Sequence, residues 1–106
     1  MATISKSLAR TAFATTLGDL YTVPTNTATS IVTNIVVVNT GATVERFTIN
    51  LDGVELFNET PIAGNSTISI DMKQVLDAQP TNPTKKIRGF ASATTVKVHI
   101  SGIEID

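Results

Sequence analysis

Few side chains in this 106-residue chain are of the types that perform catalysis or bind metal ions. The sequence contains no cysteine and a single histidine, His99. Thiol catalysis, disulfides and thiolate zinc sites are therefore excluded, and no second histidine is present to complete a metal site or a proton relay. Because His99 alternates with Val98 and Ile100, we expect its side chain on a surface, either as a plain surface histidine or as a pH-sensitive contact.

The carboxylates do not form a catalytic pair. General acid–base and glycosidase chemistry needs two carboxyl groups held a few ångströms apart across a cleft. Glu55 and Glu59 are four residues apart in a predicted strand, which separates them by about 13 Å. Asp71 and Asp77 could bind calcium only if the fold brought them together. We therefore predict that the chain is not an enzyme and has no cofactor and no metal site.

Charge and hydropathy exclude further classes of partner. With 8 basic and 9 acidic residues the formal net charge is −1, so no basic field gathers phosphates and we expect no nucleic-acid partner. The longest apolar run, Ile35–Val38, is far shorter than the roughly 20 residues of a membrane-spanning helix. Lys6 and Arg10 interrupt every N-terminal stretch that could serve as a secretory signal. We expect no membrane partner and a chain made in a cytoplasm without a cleaved leader.

The elements that would position these side chains are short strands. Apolar residues recur at period two, and Asp52-Gly53, between two such runs, predicts a type I′ hairpin. Seven or eight strands in a chain of this length predict an all-β fold, a single antiparallel β-sandwich of Greek-key or jelly-roll type. We expect this domain to span residues 18–106 and to follow an extended N-terminal arm or first strand, residues 1–17. The arm is predicted to enter a strand near Thr11.

Two segments allow alternative structures. Apolar positions in the last strand change parity after Ile100, so that Ile103 and Ile105 have the opposite parity. Either a bulge at Ser101-Gly102 restores the phase, which we favour, or the tail passes to the other sheet. Residues 72–79 could form one helical turn or the end of a strand that bends into a loop.

The strand predicted over Ser30–Asn39 is apolar at both parities. A sandwich strand normally exposes one face to water, so two apolar faces predict cover by another subunit or by the N-terminal arm. The general preference of valine for strands is the alternative explanation.

The loop over residues 79–85 contains two prolines and leads into Lys86 and Arg88. Lys85, Lys86 and Arg88 form a positive cluster that could dock on an acidic partner or simply be solvated. Partner contacts are therefore expected on the arm, on the second face of the long strand and on this loop, namely at Ile4, Leu8, Phe13, Val32, Val36, Val38, Pro80, Pro83, Lys85 and Lys86.

Three segments together resemble a known type of protein. Leu20-Tyr21-Thr22-Val23-Pro24, the strand from Ile31 to Thr40 that ends in Asn-Thr, and the closing strand from Val98 to Ile105 are similar to a small β-sandwich virion protein of tailed bacteriophages and prophages. The resemblance covers roughly residues 18 to 105, and its motifs are structural. The sequence departs from the pattern over residues 73–86, where a longer, proline-bearing insert replaces a short turn.

The resemblance implies a virion component without catalytic residues. The most direct expectation is a capsid decoration (cement) protein that bridges or caps capsomers, is located in the virion, and contacts the major capsid protein and its own copies, with a trimer as the expected homo-oligomer. A tail, neck or fibre component is the alternative within this class. A carbohydrate-binding or adhesion module is the alternative outside it, with Tyr21, Phe57 and Phe90 as the aromatic side chains available to a sugar.

Overall fold

Eight strands make up most of the computed structural model, which describes residues 3–23, 29–77 and 86–105. The strands are β1 (Thr3–Ala12), β2 (Gly18–Thr22), β3 (Thr29–Asn39), β4 (Glu45–Leu51), β5 (Val54–Ile62), β6 (Ser66–Asp77), β7 (Lys86–Ala91) and β8 (Val96–Ile105).

The strands form two four-stranded antiparallel sheets. Sheet A has the order β1-β8-β3-β6 and sheet B has the order β2-β7-β4-β5. The prediction of an all-β sandwich is therefore confirmed, and this strand order is that of a jelly roll. Each sheet has an inner face toward the other sheet and an outer face away from it.

The core lies between the inner faces. Phe13, Phe47 and Phe57 form an aromatic row, with ring centroids 6.1 Å apart for the first pair and 5.7 Å for the second. Around them pack the β-branched residues of the central strands, including Ile35 and Ile49, neither of which has any exposed surface. Each such side chain contributes about 1.5–3 kcal/mol by leaving water, so these strands form because their alternation supplies one continuous apolar layer.

The Asp52-Gly53 hairpin has the predicted geometry. Asp52 has φ 53° and Gly53 has φ 82°, and Leu51 pairs with Val54 across the turn. Positive φ at both central residues is the requirement of a type I′ turn, so the hairpin prediction is confirmed.

The bulge predicted in the last strand is wrong, because β8 alternates without interruption and places Gly102 and Glu104 on the inner face. The register shifts in both neighbouring strands instead, between Ser7 and Ala9 in β1 and between Val32 and Asn34 in β3. A Cβ on Gly102 would lie 2.7 Å from Leu8 Cδ1 and would also clash with the Ile31 carbonyl oxygen. The bulged Leu8 thus fills the place that a side chain at position 102 would need.

Two further segments differ from or refine the predictions. β1 begins at Thr3, well before Thr11, and pairs with β8 from there to Ala12, so an extended N-terminal arm is not confirmed. β6 continues as a strand to Asp77, which settles the ambiguous segment in favour of a strand as far as the described residues reach.

Candidate interaction surfaces

Three of the predicted partner contacts lie in the core of the chain itself. Leu8, Phe13 and Val32 are 8%, 1% and 0% exposed. Leu8 and Val32 point inward because of the bulges in β1 and β3, and Phe13 enters the aromatic row where the chain leaves β1. Their prediction as partner contacts is therefore corrected, since these side chains cannot reach another protein while the sandwich is closed.

The remaining predicted contacts are placed as follows. Ile4 is 51% exposed on β1, and Val36 and Val38 are half-buried on the outer face of sheet A. Lys86 begins β7, where its ammonium lies 3.0 Å from Asp19 Oδ2. Residues Pro80, Pro83 and Lys85 lie outside the described residues.

The outer face of sheet A carries a group of apolar side chains that we call the outer apolar face. The bulge in β3 reverses the parity of that strand, so that Ile31 before it and Val36 and Val38 after it all point outward. Ile31 pairs with Ile103 on β8 and with Val75 on β6, which forms an apolar row across three strands. The complete set is Ile31, Val36, Val38, Val75, Ile103 and Ile105.

Polar side chains lie beside and between these apolar residues. His99 lies on the outer face, as its alternation with Val98 and Ile100 predicted. Its side chain is half-buried between the cross-strand neighbours Arg10 and Val36. The cross-strand pair Asn34 and Asp71 lies between the Ile31 row and Val36, and Asn34 Nδ2 donates a hydrogen bond of 2.9 Å to Asp71 Oδ1. The outer face of sheet A is therefore apolar in part, with polar side chains between its apolar residues.

A buried polar group, which we call the Glu104 cluster, joins the two sheets. Tyr21 on β2 donates its hydroxyl proton to Glu104 Oε2 and lies 2.7 Å from Ser30 Oγ, while Lys6 Nζ lies 3.3 Å from Glu104 Oε1. Burial, and then the hydrogen bond to Glu104, raise the pKa of Tyr21 to about 12. A phenol with so high a pKa stays protonated near neutral pH, and the cluster is best explained as a link between β1, β3 and β8 on one side and β2 on the other.

The outer face of sheet B contains a cavity of about 180 Å³. Its polar boundary includes Arg46, whose Nη1 donates to the Glu59 carbonyl at 3.2 Å, and Thr48, whose hydroxyl accepts the Glu59 N–H at 3.0 Å. Of the three aromatic residues considered for a sugar site, only Phe90 lines this cavity, because Phe57 packs in the core and Tyr21 belongs to the Glu104 cluster.

Among residues 3–23, 29–77 and 86–105, no group of three or more histidine, aspartate or glutamate side chains is placed to hold a metal ion. The same described residues contain no helix long and apolar enough to cross a membrane.

Sequence reasoning missed the Glu104 cluster and four of the six residues of the outer apolar face. The four cluster residues are widely separated in sequence, so no local spacing could indicate their contact. For the outer face the sequence did contain a signal. Ile103 and Ile105 have the parity opposite to that of Val98 and Ile100, so in a strand without a bulge they point outward while Val98 and Ile100 point inward.

One comparison with a solved structure shows a shared fold. The chain is similar to a chain of the T13 viral particle of IBDV, with a TM-score of 0.51 and 11% identity over 98% of this chain and 31% of that one. It is also similar to a chain of infectious bursal disease virus, Gx strain, with a TM-score of 0.46 and 13% identity over 98% of this chain and 30% of that one. A third similar structure is a pentameric capsid protein from metagenomic phage sequences, with a TM-score of 0.40 and 11% identity over 96% of this chain and 61% of that one. This chain thus spans about a third of the length of the two bursal-disease-virus chains. No protein-family model and no curated protein sequence matches it.

Proposed function

We propose that this chain is a non-enzymatic structural component of a bacteriophage virion, namely a capsid decoration protein that stabilises the head by bridging or capping capsomers. The observation that carries the proposal is the outer apolar face of sheet A. The apolar row formed across three strands by Ile103, Ile31 and Val75 lies on the side of sheet A that faces away from sheet B, and Val75 is 51% exposed. An apolar row of this kind is explained if another protein surface covers it in the assembled state.

Two further features support the proposal. The jelly-roll fold is shared, at a TM-score above one half, with a chain of an icosahedral viral particle. In addition, the titratable side chains of the Glu104 cluster are engaged with one another as a link between sheets, and Asp19 is engaged in an ion pair with Lys86. Both features fit a protein that acts by its shape and surface.

The partners that we propose are the major capsid protein and other copies of this chain. A single patch of this size binds weakly, but many copies on one shell reinforce each other through multivalency. A trimer is the oligomer that we predict for the decoration role, and the protein's location would be the virion.

The proposal is tested by binding to capsids that lack the protein. We expect the purified chain to bind such particles and to raise their disruption temperature. Val36→Asp places a charge on the outer apolar face and should abolish binding, because the carboxylate would be desolvated in the contact. The matched control is Val44→Asp, since Val44 is 63% exposed and lies outside that face. Equal binding by both variants, each shown to be folded by circular dichroism, would contradict the proposal.

A tail, neck or fibre component is the alternative within the virion class. The same outer face would then contact a different virion protein. In that case particles without a tail would fail to bind the chain, whereas complete particles would contain a few copies of it.

A carbohydrate-binding module is a second candidate, favoured by the cavity on sheet B. The side chain of Phe90 and the polar groups of Arg46, Thr48 and Glu59 border a space comparable to a single sugar ring. Glycan-array binding that is lost in Phe90→Ala but retained in Val36→Asp would support this function over the decoration role.

A further inference from the structure

The four edge strands of the sandwich differ in how well they are protected against pairing with another chain. An unprotected edge strand presents free N–H and C=O groups, and natural proteins block such edges with bulges, prolines, short strands or charged residues. β1 is protected twice. It bulges at Leu8, and Lys6 turns its side chain toward Glu104 on the inner face.

The two edges of sheet B are also protected. β2 is only 5 residues long, and its register with β7 shifts between Asp19 and Tyr21. β5 contains Pro61, has Glu59 at φ 45°, and shifts register twice against β4. Neither strand offers a straight run of backbone groups to a partner.

β6 is the exception. It is the longest strand, with 12 residues, and its segment from Thr67 to Asp71 pairs in continuous register with Val38 to Asn34 of β3. This segment, which we call the open edge, contains no proline, no glycine and no charge before Asp71. Among the described residues, no strand pairs with its other side.

We propose that the open edge of β6 pairs antiparallel with the same edge of a second copy, about a two-fold axis near Ser69, to join the two A sheets into one eight-stranded sheet. This inference deepens the proposed function and rests on it, since it names one contact by which the proposed assembly subunit would associate. An identical partner is favoured because the strand is complementary to itself. With Ser69 opposite the partner's Ser69, Asp71 lies opposite the partner's Thr67, so no like charges face each other.

The inner side chains of the open edge support such a partner. Ile68 and Ile70 point into the sandwich but remain half-buried, whereas their neighbours Val37 and Ile35 on β3 have no exposed surface. In the proposed register Ile68 lies opposite the partner's Ile70, and each covers the flank that the other leaves open.

The pairing predicts an even number of copies. A contact about a two-fold axis joins chains in pairs, so a chain that is otherwise monomeric forms a dimer, and a trimer formed through other surfaces doubles to a hexamer. The contact consists of a few strand hydrogen bonds and two isoleucines from each copy. We therefore expect weak association, with an average assembled mass that rises with protein concentration.

Charge-swapped variants at Ser69 test the inference by sedimentation velocity. Ser69→Lys and Ser69→Glu should each halve the assembled mass, because each places like charges opposite one another, and an equimolar mixture of the two should restore it. Ser7→Lys, at an exposed serine on the outer face of the protected edge β1, is the matched control and should leave the mass unchanged. An assembled mass that persists in Ser69→Lys, or that falls equally in Ser7→Lys, would overturn the inference.

A second variant does not depend on repulsion. The chain has no cysteine, so Ser69→Cys should form a dimer-specific disulfide under mild oxidation, and Thr11→Cys should not. Equal cross-linking of the two variants would count against pairing through β6.

The two proposals can fail separately. A wild-type chain that is present in purified virions but sediments as a monomer at every concentration would overturn the strand pairing and leave the decoration role intact. A chain that pairs through Ser69 but neither binds capsids nor occurs in virions would overturn the role and leave the pairing intact.

Discussion

Replacing Tyr21 by phenylalanine removes one hydroxyl from the Glu104 cluster and leaves the ring in place. Without that hydroxyl, Lys6 at 3.3 Å is the one partner that the Glu104 carboxylate, whose side chain is 9% exposed, retains among the described residues. A hydrogen bond to a charged group contributes about 1.5–3 kcal/mol. We therefore expect Tyr21→Phe to lower the free energy of unfolding by about 2 kcal/mol. For a domain of this size that corresponds to a fall in Tm of about 8–16 °C.

Lys6→Met is the informative comparison. The Lys6 side chain is 45% exposed, so its ion pair with Glu104 is screened by water and contributes less than about 1 kcal/mol. Urea unfolding followed by far-ultraviolet circular dichroism measures both variants, because the chain has no tryptophan and Tyr21 is its only tyrosine. The reasoning is refuted if Lys6→Met is the more destabilising variant or if Tyr21→Phe unfolds at the wild-type urea concentration.

The same tyrosine gives a prediction for alkaline pH. Its pKa rises from 10.0 to about 12 on folding, so the folded state keeps the phenol protonated where the unfolded chain loses the proton. Stability from this group is therefore complete below pH 10 and is lost as the pH rises toward 12. Because Tyr21 is the only tyrosine, the ultraviolet absorbance of tyrosinate reports its ionisation directly, and a midpoint near 10 in the folded protein would contradict the burial and hydrogen bonding described above.

Three further substitutions test the packing. Gly102→Ala forces a Cβ to within 2.7 Å of Leu8 Cδ1 and should cost about 1–3 kcal/mol by urea unfolding, whereas Gly18→Ala, with no contact nearer than 3.9 Å, should be close to neutral. Phe13→Ala should lose about 3–5 kcal/mol because Phe13 is 1% exposed and packs on Phe47. If Phe13→Ala left the free energy of unfolding nearly unchanged, the burial of Phe13 in the core would be contradicted and a surface contact would again explain it. Asn39→Ala removes a fully buried amide that makes four hydrogen bonds, and a loss of less than about 1 kcal/mol in its thermal or urea unfolding would show that those bonds are not formed.

Local patterns predicted most of the secondary structure. The period-two alternation places Ile68, Ile70 and Met72 inward and Thr67 and Ser69 outward on β6, as their burial confirms. The hairpin at residues 52 and 53 was predictable for a similarly local reason, since both residue types tolerate positive φ. These features depend only on residues close together in sequence.

The bulges were not predictable in the same way. The bulge could form in β8 itself or in the strands that pair with it. Which of these occurs depends on β1 and β3, which are far from β8 in the sequence. The position of the bulges determines where two side chains lie. Val32 points into the core because of the bulge in β3, and Leu8 fills the space beside Gly102. A glycine in a strand marks a close approach, but it does not say from which side the approach comes.

The candidate surfaces were predicted in part. Val36 and Val38 lie on the outer face of sheet A, but their neighbours on that face come from β6 and β8, and only the strand order of the jelly roll shows that they adjoin. The Glu104 cluster depends on a contact between residues 83 positions apart and had no sequence signal at all.

Quantitative mass spectrometry of purified phage particles, from a host in which this chain is expressed on infection or induction, tests the proposed virion role most directly. The account predicts that the chain is present in a fixed, high ratio to the major capsid protein and that Val36→Asp lowers this ratio while Val44→Asp does not. A chain that is expressed in infected cells, folded and absent from the particles would contradict it.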